Sequence, residues 1–77
     1  MRRHRGSRSG ARALRITERE LETVQLIADG LGNREIAQTL EVSLETVKTY
    51  VRRLLVKLEA RGRAHAVAIA WRKELVD

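Results

Sequence analysis

Apolar residues recur along this chain at helical spacing, in four blocks separated by short polar breaks. Leu21, Val24, Ile27, Ala28 and Leu31 form the first block, with the repeat of an amphipathic helix. The run Thr17-Glu18-Arg19-Glu20 precedes it. Thr17 can accept from free backbone N–H groups and Glu20 can reach back, which is a capping box. Glu18 and Glu20 also suit the positive end of a helix dipole. Gly30 can take a positive φ and end this helix.

The second block is short. Ile36, Ala37 and Leu40 face one way, and Asn33 is the candidate N-cap. The pattern breaks at Leu40-Glu41-Val42-Ser43, where Ser43 offers a new N-cap. The third block predicts a helix from about Leu44 to Leu58, with Val47, Val51, Leu54, Leu55 and Leu58 on one buried stripe. Only about three residues separate the second and third helices. A turn that short sets two helices at roughly 90–120°, the helix-turn-helix arrangement. Ala37 is small where the two helices must cross, and Val42 plugs the turn. The fourth block covers about Arg63 to Leu75. Val67, Trp71 and Leu75 share a stripe with Ala64 and Ala68, while Ala66 and Ile69 lie elsewhere on the surface. A terminal helix that is apolar on more than one face suits a second copy of the chain. Dimer contacts are expected at His65, Ile69 and Arg72.

These blocks predict an all-α fold, a four-helix bundle containing a helix-turn-helix, over residues 15–77. Residues 1–14 show no apolar repeat and read as a disordered basic arm. Composition narrows the picture further. At 77 residues there is room for one small domain. The chain has no cysteine, which excludes disulfides and thiolate metal sites and fits a cytoplasmic location. No apolar run approaches the roughly 18 residues of a membrane span. His4 lies in the arm and His65 is isolated, and there is no glycine-rich phosphate loop and no paired carboxylates on an apolar wall. No enzyme, metal site, cofactor or small-molecule ligand site is expected.

Charge sharpens the functional reading. The net charge is +6. Arg2, Arg3, Arg5, Arg8, Arg12 and Arg15 supply it with no acid among residues 1–15. Residues 16–45 set Arg19 and Arg34 against seven carboxylates, or −5, and residues 46–63 set six cations against Glu59, or +5. A basic arm beside a basic half points to a polyanionic partner. The outward side of the third helix is then the candidate surface. Lys48 and Arg52 can donate to guanine O6 and N7, Thr49 can hydrogen-bond or touch a thymine methyl, and Glu45 can accept from cytosine N4. Lys48 and Arg52 are like charges one turn apart, which helix stability alone disfavours. Thr46 and the N–H groups at the helix start can hold a phosphate, and Arg53 and Lys57 sit to the sides. The arm is expected to add phosphate or minor-groove contacts.

The run "ITERELETVQLIADGLGNREIAQTLEVSLETVKTYVRRLLVKLEARGRAHAV", residues 16 to 67, resembles the LuxR-type helix-turn-helix DNA-binding domain. The carrying pieces are "TERE", "GLGNREIA", "VSLETVKTYV", "KL" at 57 and 58, and "RAHAV" at 63 to 67. The resemblance implies a bacterial transcription regulator that binds double-stranded DNA, usually as a homodimer through the fourth helix. It implies a recognition helix at about 44–58, base contacts at Lys48, Thr49 and Arg52, and backbone contacts at Asn33, Arg34, Thr46 and Lys57; the chemistry of the outward face adds Glu45 to the base contacts and Arg53 to the backbone contacts. RNA polymerase is a further candidate partner, and the nucleoid the place of action. Tyr50 stands where histidine is common and is expected at the core edge. Glu59 stands where glycine is frequent, which predicts an extension of the third helix towards Gly62. Members usually carry a receiver or ligand-binding domain upstream. With only an arm ahead, the expectation is a stand-alone regulator or a piece of a longer one. Two other readings compete: a sigma-factor region-four-like module, and a protein-interaction anti-activator docking through the fourth helix.

Overall fold

A computed structural model of the chain describes residues 8–77, all of whose regular elements are helices. They are α1 (Arg8–Ala13), α2 (Glu18–Ala28), α3 (Asn33–Leu40), α4 (Leu44–Leu58) and α5 (Arg63–Arg72). The all-α expectation holds, and the four expected helices gain a short fifth at the front.

Helix starts follow local chemistry. The Glu20 N–H donates to Thr17 Oγ1 at 3.1 Å, and the Thr17 N–H donates to Glu20 Oε1 at 3.1 Å. The capping box expected at α2 is therefore formed. At α4 the Thr46 N–H donates to Ser43 Oγ at 3.0 Å, as the Ser43 cap requires. The start of α3 departs from expectation. Gly32 is the cap, and its N–H donates to Glu35 Oε1 at 2.8 Å. Asn33 is the first helical residue, and its side chain is drawn to Arg63 instead.

Helix ends depend on left-handed residues. Gly30 has φ 96° after α2, where no Cβ penalty arises. Glu41, Glu59 and Glu74 take φ 59°, 54° and 59° after α3, α4 and α5. The expected run of the third helix towards Gly62 is not made: α4 stops at Leu58 and Glu59 itself turns the chain. The Ala60 N–H then donates to the Leu55 carbonyl at 2.9 Å, and Ala60 packs on the core. That contact and hydrogen bond offset the roughly 1–2 kcal/mol cost of a left-handed residue with a Cβ. The end of α5 follows the same plan. Glu74 reverses the chain, the Leu75 N–H donates to the Ala70 carbonyl at 2.8 Å, and Leu75 and Val76 fold in as buried residues.

The start of the chain corrects the disordered-arm expectation in part. Residues 1–7 lie outside the described residues. From Arg8 to Ala13 the chain is helical, and Ala11 and Ile16 are buried with Leu14 packed beside them. One turn is too short to show a repeat in sequence, yet three apolar anchors dock it.

The core has two parts. Ala11, Ile16, Val24, Leu54, Leu58, Ala66, Ala70, Leu75 and Val76 form one. Ile36, Ala37 and Val47 form the other, flanked by Leu26, Ile27, Leu31, Leu40, Val42 and Val51. Helix α4 belongs to both and packs against α2, α3 and α5. It is held along one side for its whole length, so its other side stays outside.

Candidate nucleic-acid interface

The outer side of α4 carries Glu45, Lys48, Thr49, Arg52, Arg53 and Val56, all exposed except the half-buried Thr49. The structure brings the four expected base-contact residues together in a chain of bonds. Lys48 Nζ lies 3.6 Å from Glu45 Oε2. Thr49 Oγ1 donates to the Glu45 carbonyl at 3.2 Å, and Arg52 Nη2 donates to Thr49 Oγ1 at 3.4 Å. The Lys48–Arg52 repulsion is thus offset, because Glu45 balances one cation and Thr49 accepts from the other. An exposed ion pair of this kind contributes about 0–1 kcal/mol. It opens at little cost when a base edge offers better donors and acceptors.

The expected backbone-contact residues differ in exposure and in partners. Arg34 and Arg53 are exposed. Thr46 Oγ1 and Ser43 Oγ share a hydrogen bond of 2.8 Å at the start of α4. Asn33 Oδ1 accepts from Arg63 Nη2 at 2.6 Å, which ties the start of α3 to the start of α5. Its amide N–H2 group is left as the donor for an outside partner.

Lys57 is put to another use. Its Nζ donates to Glu20 Oε1 at 2.6 Å and to the Arg15 carbonyl at 2.8 Å. The Glu20 side chain is only 2% exposed and that of Lys57 27%. A carboxylate that deep needs a charged partner, so Lys57 neutralises Glu20 rather than presenting a free cation. Thirty-seven residues separate the two, and no local pattern reveals the pair. Arg63 was missed for the same reason, with Asn33 thirty residues away.

Of the apolar faces of α5, the one that carries Ala66 and Ala70 is inward. Ala66 and Ala70 are its fully buried residues, while Ala64, Ala68 and Trp71 face out, Trp71 with 52% of its surface exposed. The inward side is where α5 meets α2 and α4, and alanine permits close approach there. Leu75 is buried through the reversal at Glu74, not as a continuation of the Val67–Trp71 stripe. Of the expected dimer contacts, Ile69 packs against the core, His65 Nδ1 accepts from the Arg61 N–H at 3.0 Å, and Arg72 is exposed. Tyr50 is half-buried, at the core edge. Among the described residues no helix is long and apolar enough to cross a membrane.

Comparison with known proteins agrees with this geometry. A family model described as bacterial regulatory proteins, luxR family, matches residues 14–70. The response regulator protein VraR of Staphylococcus aureus (strain Mu3 / ATCC 700698) is 44% identical over 62 residues, 80% of this chain and 30% of that protein. VraR of Staphylococcus epidermidis matches to the same extent, 44% over 62 residues. Among solved structures, the transcription factor GerE is similar with a TM-score of 0.76 at 28% identity, covering 79% of this chain and 91% of that one. The chain therefore spans about 30% of the length of the curated relatives it matches. The family is one of DNA-binding transcription regulators and not an enzyme class. With its family match running from the α1–α2 corner to the buried Ala70 of α5, the chain belongs to the luxR family of bacterial regulatory proteins and is a helix-turn-helix DNA-binding domain of that family.

Proposed function

We propose that this domain regulates transcription by reading a specific double-stranded site with the N-terminal half of α4 in the major groove. One observation carries the reading: α4 is anchored along one side by both parts of the core, and its opposite side presents polar groups over more than two turns. An α-helix fits the major groove, and its first turns come closest to the base edges. Lys48, Thr49, Arg52 and Glu45 are the base readers. Arg34, Arg53, Thr46 and the Asn33 amide grip phosphates. Lys57 supports α4 through its ion pair with Glu20.

The protein acts as a homodimer through α5. Support comes from the outward Ala64, Ala68 and Trp71, with Arg72 at their edge. Small residues let two helices approach, and a half-exposed tryptophan is a common interface anchor. Contact with RNA polymerase and action at the nucleoid belong to the same proposal. The test is selection of bound duplexes from a random pool at about physiological salt, where non-specific binding is weak. The expected product is an inverted repeat with half-sites about one helical turn apart. Recovery of no common sequence overturns base reading, and recovery of single unpaired sites overturns the dimer.

A further inference from the structure

We propose that Val56 extends the reading face by one helical turn and recognises the 5-methyl group of a thymine. The inference rests on the DNA-reading role given to α4 above.

Val56 has 72% of its surface exposed, more than Trp71, the other exposed large apolar side chain among the described residues. It follows Glu45, Thr49 and Arg52 by eleven, seven and four residues. At about 100° per residue these four lie on one stripe. The stripe is opposite Val47, Leu54 and Leu58, which are buried. Val56 therefore adds nothing to the core. As a β-branched residue it also disfavours the helix by a few tenths of a kcal/mol against lysine, leucine or alanine. Every other outward position of α4 is polar, whereas Val56 offers only van der Waals contact.

In the major groove the apolar feature of a base pair is the thymine 5-methyl group. The reach is suitable. Side chains on a helix lean towards its N-terminus, so the isopropyl group lies over the turn that holds Arg52 and Arg53, on the side of the groove. With about 1.5 Å of rise per residue, Val56 stands roughly 10 Å beyond Thr49 along the axis. Base pairs rise about 3.4 Å each, which sets its thymine about three base pairs beyond the one that meets Thr49. Arg53, exposed and three residues before Val56, holds a phosphate beside the contact.

The test uses the whole chain and the duplexes recovered by the selection described above. Each thymine is replaced in turn by 2′-deoxyuridine, which deletes the methyl group and keeps every hydrogen bond. One replacement per half-site is expected to weaken the native protein about fourfold, as loss of one buried methyl predicts. The same replacement leaves Val56→Ala unaffected. Alanine favours the helix and Val56 is exposed, so this variant folds, which its helical circular dichroism verifies. If Val56→Ala responds to every uridine as the native protein does, or if the native protein responds to none, the inference is overturned while base reading by α4 stands. If the pool yields no common sequence, both fall together. If Val56→Ala instead loses a protein contact, seen as a changed sedimentation coefficient with unchanged uridine responses, a protein surface takes the place of the thymine.

Discussion

Glu20 and Lys57 show how one pair of side chains can organise a small domain. Glu20 closes the cap of α2, accepts from Lys57, and through Lys57 is linked to the Arg15 carbonyl. Removing one member leaves the other charge without its partner in a poorly hydrated place. Breaking such a pair costs about 3–5 kcal/mol when fully buried. Lys57 is partly exposed, so Lys57→Met should cost about 2–3 kcal/mol, read from urea unfolding. Glu20→Leu combined with it should recover part of that loss, and simple additivity of the two costs would count against the pair. Glu59 allows a test in which the sign decides. In its left-handed conformation, Glu59→Gly relieves strain of about 1 kcal/mol and should raise Tm by roughly 4–8 °C. In a continuing helix the same change would lower Tm, because glycine destabilises a helix interior by about 1 kcal/mol.

At the scale of elements, α2 and α4 were legible in sequence because their signals are local. The cap of α2 spans three residues, and the Val47-to-Leu58 stripe is long enough for its period to show. The α3 cap was misplaced by one residue because asparagine and glycine both suit that position, and a partner thirty residues away decided between them. On α5 the sequence shows apolar residues on more than one face, and no local signal says which face packs inward. Alanines hold the tight inward contact while the tryptophan faces out. Two predictions belong here. Lys48→Ala with Arg52→Ala should leave the melting curve within about 0.5 kcal/mol of native, since both residues are exposed. The double variant should bind the selected site no more tightly than random DNA in a fluorescence anisotropy titration, each lost base contact being worth about 1–3 kcal/mol. Trp71→Glu should weaken self-association about thirtyfold in sedimentation equilibrium, with the monomer still helical. A change that unfolds the monomer would mean that Trp71 supports the core.

For the whole molecule, the uneven charge matters more than the sum. The body from residue 16 on is neutral but divided, and the excess lies ahead of it. Arg2, Arg3 and Arg5 fall outside the described residues, so their contribution is addressed by binding. Deleting residues 1–7 should reduce the slope of log affinity against log salt by up to about 2.7 for each bound protomer, if all three cations neutralise phosphates at about 0.9 each. An unchanged slope assigns those arginines no part in the complex. What the sequence left unreadable at this scale is long-range. The bond between Gln25 and the Asp77 backbone, the burial of Leu75 and Val76 in one core with Val24, and the packing of Ala11 and Ile16 into that core all join segments far apart in the chain.

The docking of α1 has a mechanical consequence. Ala11 and Ile16 share a core with Leu54 and Leu58, and the Arg15 carbonyl is hydrogen-bonded to Lys57. The segment that leads into the domain is therefore tied to the C-terminal end of α4, away from the turns that carry Glu45 and Lys48. Strain applied to the chain at Ala11 reaches that end of the helix before it reaches the reading turns.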